Sequence, residues 1–118
     1  MYFDSWGDLS REAPFRDGKW DEDKLREYLI QSCDQRFQQQ IELYFARFRK
    51  DGALADLLFA CLLNEDCDGS DCQIGAAYFI RRLDRDVLRE RRALVLKAQE
   101  NDVFWRRPFQ TDEYLSWI

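Results

Sequence analysis

From Trp20 to Phe48, apolar side chains recur three or four positions apart, at Leu25, Tyr28, Leu29, Cys33, Phe37, Ile41, Tyr44, Phe45 and Phe48. That spacing gathers them on one face of an α-helix, and it sets Gln38, Gln39 and Gln40 on the opposite face. Asp21 is a suitable N-cap, and Trp20 before it is placed to staple onto Leu25. A helical pattern of about 28 residues is long for a globular protein. The stretch therefore reads either as one helix or as two, separated near Ser32–Asp34. Asp51-Gly52 closes it, with Gly52 as a left-handed stop.

Three further patterns follow. Leu54, Leu57, Leu58, Cys61 and Leu62 mark a helix from about Ala53 to Leu63. The polar segment Asn64-Glu65-Asp66-Cys67-Asp68-Gly69 separates it from a third helix. Ser70 caps that helix, Gln73 completes a capping box, and Ile74, Ala77, Tyr78, Ile80 and Leu83 follow. Asp84 caps a fourth helix, with Val87, Leu88, Leu94, Val95 and Ala98 facing inward and Asn101-Asp102 at its end. After Pro108 a short last helix, capped by Thr111, runs to Tyr114-Leu115-Ser116-Trp117-Ile118. Residues 1–20 show no helical period. They hold Tyr2, Phe3, Trp6, Phe15 and Trp20, interrupted by Gly7, Pro14 and Gly18. So much apolar surface is costly to leave in water, and the arm is expected to pack over a core.

The expected fold is all-α, a single domain over residues 1–118 with about five helices and an antiparallel hairpin at 53–83. Tyr44, Phe45, Leu57, Leu58, Ile80 and Leu94 are the expected core. Composition agrees: five Gly and two Pro among 118 residues leave few turn punctuators, and hydrophobic residues at 46% suffice for one core. The N-terminus has no basic start followed by an apolar stretch and a small-residue cleavage site. No apolar run reaches the roughly 20 residues of a membrane span. The expected location is the cytoplasm, where Cys33, Cys61, Cys67 and Cys72 remain thiols.

Charge changes the picture more than composition does. From Asp51 to Gly75 there are six acidic residues and no Lys or Arg, although the chain has 18 basic and 23 acidic residues and a net charge of −5. A one-sign cluster draws in a partner of opposite sign and repels other acids. Asp56, Glu65, Asp66, Asp68 and Asp71 are accordingly the candidate partner-binding residues, and the partner expected is a protein with a basic surface. The same balance argues against direct nucleic-acid binding and against docking on anionic membranes.

Other motifs are weaker. Asn64-x-Asp66-x-Asp68-Gly69 copies the first half of a calcium loop, but Asp71 stands where an apolar residue belongs and Gly75 where the bidentate Glu belongs. Cys61, Cys67 and Cys72 are spaced five and four apart without any His, a poor match to zinc sites. No metal or cofactor is expected. The Arg81–Arg92 stretch interleaves arginines with Asp84, Asp86 and Glu90, as on a solvated face crossed by ion pairs. Without His, a phosphate-cradling Gly loop or a nucleophile elbow, no catalytic constellation stands out, and the chain is not expected to be an enzyme.

The stretch Cys72-Gln73-Ile74-Gly75-Ala76-Ala77-Tyr78-Phe79-Ile80-Arg81-Arg82-Leu83 resembles the second helix of a HEAT-type repeat. The preceding Leu-rich helix and acidic loop extend the resemblance over 53–83, with Gln73 where the family usually has Arg. It implies stacked helix pairs presenting a protein-binding surface. In size, charge and fold the chain is also similar to small bacterial immunity proteins that neutralise a cognate toxin. The alternative likeness is to phage inhibitors of host defence complexes, some of which mimic DNA.

Overall fold

The computed structural model describes residues 5–64 and 71–100. Of these, 67% are helical, in seven α-helices joined by one two-stranded sheet. The elements are α1 (Trp6–Ser10), β1 (Phe15–Arg16), β2 (Lys19–Trp20), α2 (Glu22–Gln31), α3 (Gln38–Phe45), α4 (Gly52–Leu62), α5 (Asp71–Ile80), α6 (Arg85–Arg89) and α7 (Arg92–Gln99), with a 3₁₀ turn at Ala46–Phe48 after α3. The helix expected after Thr111 and the cap expected at Ser70 lie outside the described residues.

The long pattern from Trp20 to Phe48 is two helices. Asp21 caps the first, its side chain accepting from the Lys24 N–H at 3.0 Å. The separation falls where local side-chain bonding competes with helix. The Ser32 hydroxyl turns back to the Leu29 carbonyl. Asp34 accepts from both the Arg36 N–H at 2.9 Å and the Arg36 guanidinium at 2.8 Å. Short polar side chains that bond their own backbone offer the chain this alternative to the helical ladder. Phe37 and Ile41 nonetheless stay buried, because the turn keeps the apolar face aimed at the same core.

The aromatic arm contains the sheet. Phe15 pairs with Trp20 and Arg16 with Lys19 in an antiparallel hairpin. Its two turn residues both have positive φ, Asp17 at 53° and Gly18 at 76°, as a two-residue hairpin turn matched to strand twist demands. The hairpin delivers rings to the core: Phe15 and Trp20 each lie within 5.1 Å of Phe48 by ring centroid. The Trp20 indole N–H donates to Asp51 at 3.1 Å, and the Phe15 N–H donates to the Tyr44 hydroxyl at 3.1 Å. Leu9 on α1 is fully buried, and its carbonyl accepts from the buried Tyr28 hydroxyl at 3.0 Å. Burial pushes the Tyr28 pKa up, in keeping with a phenol that acts only as a donor.

Helix α5 is the centre of the molecule, packed against both α4 and α2. Its small residues Gly75, Ala76 and Ala77 are buried and permit close approach. A Cβ on Gly75 would come 2.5 Å from the Leu29 carbonyl oxygen and 3.0 Å from the Ser32 hydroxyl. Helices α4 and α5 run antiparallel: Gln73 at the start of α5 reaches Leu62 at the end of α4, while Leu54, Phe79 and Leu83 meet at the other end.

Several expectations are corrected in detail. Gly52 is the first residue of α4, and Asp51 before it is an N-cap that accepts from the Leu54 N–H at 3.0 Å. Leu58, Phe45 and Ile80 are buried core, whereas Tyr44, Leu57 and Leu94 pack against it while half-buried. The helix expected from Asp84 onward divides at Glu90–Arg91 into α6 and α7. Among the described residues seven helices stand where four of the five expected helices fall, because two long patterns each hold a turn, and because Ser5 caps the short α1 inside the arm.

Candidate functional site

The acidic segment takes in α4 and the start of α5. Gln73 is fully buried in α5, and its side-chain amide donates to the Leu62 carbonyl at 3.2 Å and the Asn64 carbonyl at 2.8 Å. The Leu62 carbonyl is among the acceptors that the end of α4 leaves without helical partners, and Asn64 lies just past the Leu63 C-cap. One buried amide thus ties the end of α4 to the start of α5 and holds Asn64 beside α5. A polar residue inside the otherwise apolar run Cys72–Ile80 is the sequence signal for this role.

The candidate residues differ in what they are free to do. Asp71 is exposed at the first position of α5, and its carbonyl accepts from the Cys33 thiol at 3.7 Å. Asp56 is exposed on α4 and takes the Arg91 guanidinium, with Nε to Oδ1 at 2.7 Å. Glu65, Asp66 and Asp68 lie outside the described residues. Asp51, the remaining acid of the segment, is occupied as a cap and as the acceptor for Trp20.

Arg91 is a junction that sequence reasoning missed. Besides Asp56 it donates to the Val87 carbonyl and the Gly52 carbonyl, each at 3.1 Å. Its side chain is only 15% exposed, and it closes the gap between α4 and the α6–α7 turn. Arg82 does similar work on the other side, pairing with Glu42 at 3.1 Å and lying 3.4 Å over the Tyr78 ring. Read from spacing alone, both belonged to a solvated arginine face. Arg91→Ala is expected to cost about 1.5–3 kcal/mol, the range for hydrogen bonds to a charged group. Asp56→Asn should cost clearly less, because Asp56 faces water and Arg91 keeps both carbonyls. Urea unfolding of the two variants checks the order.

A second cluster lies between α2 and α4. Glu22, Leu25, Arg26, Leu57, Ala60, Cys61 and Asn64 line a groove with a volume of about 180 Å³. The half-buried Cys61 thiol is hydrogen-bonded to the buried Cys72 of α5 and to the Arg26 side chain. These contacts, led by the bond to Cys72 and helped by the Arg26 charge, hold the Cys61 pKa below that of an ordinary thiol. Cys33 moves the other way: burial and the nearby Asp71 carboxylate push it up. Among the described residues, no group of three or more His, Cys, Asp or Glu side chains is arranged to hold a metal ion. Also among them, no helix is long and apolar enough to cross a membrane.

Comparison of the chain with protein-family models, curated proteins and solved structures gave no match.

Proposed function

We propose that this protein is a non-catalytic inhibitor that occludes a basic surface on a protein partner through the acidic end of the α4–α5 hairpin. The reading most in keeping with its size and charge is an immunity protein that neutralises a cognate basic toxin, such as a nuclease, in the cytoplasm. The carrying observation is the placement of charge: six acids and no Lys or Arg between Asp51 and Gly75. The packing of α4 on α5 supports the reading, since Gln73 holds Asn64 and the start of α5 together, and Glu65, Asp66 and Asp68 fall in sequence between those two anchored points. Within the segment, Asp51 and Asp56 serve the fold. Contact with the partner falls mainly to Glu65, Asp66, Asp68 and Asp71, which would steer association and form charge-paired contacts. A HEAT-like use of the hairpin as a binding surface is part of the same proposal.

The test starts from capture of the partner from the native host, followed by association kinetics with the purified pair. The wild-type on-rate should fall steeply as salt rises, because exposed charges are screened beyond about 10 Å at 0.1 M ionic strength. Asp66→Lys with Asp68→Lys should slow association by about tenfold or more at low salt while leaving the melting temperature in place. An unchanged on-rate and affinity would show that this surface is the wrong one. The phage-inhibitor alternative makes a separate prediction: duplex DNA should compete with the protein for its target if the carboxylates stand in for phosphates.

A further inference from the structure

We propose that Cys61 and Cys72 form a peroxide-responsive dithiol, with Cys61 as the attacking thiol in the α2–α4 groove and Cys72 as the resolving thiol. Three features meet there. The two thiols belong to different helices, next in sequence to Leu62 and Gln73, whose 3.2 Å bond brings these two turns of α4 and α5 together, and the Cys72 thiol acts on the Cys61 sulfur. The groove beside Cys61 measures about 180 Å³, room for a small hydroperoxide. Arg26 supplies a cation that bonds the Cys61 sulfur. Among the described residues, Glu22 on the same helix as Arg26 opposes it, and α5 contributes the uncharged Cys72.

The chemistry is balanced without any group beyond the oxidant. The Cys61 thiolate attacks one oxygen of hydrogen peroxide or an alkyl hydroperoxide and breaks the O–O bond. Cys61 becomes a sulfenic acid, and the leaving oxygen takes a proton and departs as water or an alcohol. The Cys72 thiol then attacks the sulfenic sulfur, forming the S–S bond and releasing the sulfenic oxygen as water. Two electrons pass from the pair of thiols to the peroxide. An external dithiol reverses the change by exchange. The product links α4 to α5 across the segment that carries Glu65, Asp66 and Asp68, so oxidation would close the acidic segment into a covalent loop. Nothing in this rests on the inhibitor reading, and the test below needs no partner.

The full-length protein is treated with one equivalent of hydrogen peroxide, blocked with an alkylating agent, digested and mapped by mass spectrometry. The expected product is a Cys61–Cys72 disulfide, removed by dithiothreitol. In Cys72→Ser, Cys61 should accumulate as a sulfenic acid trapped by dimedone. In the unoxidised wild-type protein, iodoacetamide should label Cys61 faster than Cys33, despite the greater exposure of Cys33. Arg26→Gln should slow Cys61 alkylation at neutral pH about threefold. Losing one opposite charge raises a thiol pKa by about one unit and cuts the thiolate roughly tenfold. The more basic thiolate is about threefold more nucleophilic, which returns part of that loss. A disulfide that instead joins Cys67 or Cys33, or labelling of Cys61 no faster than Cys33, overturns the proposal. The wild-type labelling ratio decides the matter even if a variant fails to fold.

Discussion

Leu58→Ala is expected to destabilise the protein by about 2–5 kcal/mol, the span seen when buried Leu is truncated and a cavity is left behind. Leu58 is fully buried on α4, and with Leu54 it meets Phe79 of α5 in the core. The upper half of the span is the better expectation because the neighbours have little freedom to collapse. Helix α4 is held at its start by the Asp51 cap and the Arg91 bond to Gly52, and at its end by Gln73. Leu57, one residue earlier, lines the groove and is half-buried. Leu57→Ala should therefore lose much less, because its site is already partly open to water. Urea unfolding at constant m-value separates the two. A Leu58→Ala loss below about 1 kcal/mol would mean that the core relaxes around the gap.

The contrast between Leu57 and Leu58 also shows where a sequence stops speaking. Periodicity places both on the apolar side of α4, since adjacent residues differ by only 100° around a helix axis. Which of them is covered depends on the position of α5, and that is settled by contacts distant in the chain. The same limit explains the long pattern before Gly52. Its apolar residues keep helical spacing through the turn at 32–37, so period alone does not distinguish one helix from two. The local signal was there in Ser32 and Asp34, whose side chains bond backbone groups and favour a turn. The hairpin in the arm had the clearest missed signal. Asp17-Gly18 between Phe15-Arg16 and Lys19-Trp20 is a two-residue turn flanked by short strands. Reading Gly18 only as an interruption hid it.

The candidate site was legible in a different way. A bare charge count locates the acidic segment, because it needs no knowledge of the fold. What it cannot do is sort the acids by occupation. Asp51 and Asp56 look the same as Asp71 in sequence, yet one caps α4 and accepts from Trp20, and another holds Arg91. Their partners, Trp20 and Arg91, lie 31 and 35 residues away. Long-range pairs of this kind leave no periodic trace. The closeness of Arg26 to Cys61 has the same origin, a contact between α2 and α4 that no spacing rule reports.

Gly75→Ala should destabilise the fold by about 2 kcal/mol, against the usual sense of such a change. In a helix interior, Gly to Ala ordinarily stabilises by about 1 kcal/mol through reduced backbone entropy. At this site the new Cβ would stand 2.5 Å from the Leu29 carbonyl oxygen and 3.0 Å from its carbonyl carbon. Both are backbone atoms of α2, so no side-chain rotation relieves the clash and the two helices must move apart. Overpacking of this kind costs about 1–3 kcal/mol and sometimes more, and separating α2 from α5 also loosens contacts of Leu29 and Phe79 with the core. The clash therefore outweighs the propensity gain. Two other glycines make the comparison sharp. At Gly7 an added Cβ would meet only the Ser5 hydroxyl at an ordinary 3.5 Å, so Gly7→Ala should be neutral or slightly stabilising. At Gly52 the nearest atom, at 2.6 Å, is the end of the Arg91 side chain, which can swing away at the expense of its bond to the Gly52 carbonyl. Thermal unfolding of the three variants should rank Gly75→Ala lowest, Gly52→Ala intermediate and Gly7→Ala at or above the parent. A Gly75→Ala protein as stable as the parent would show that α2 and α5 do not approach as closely as their small residues allow.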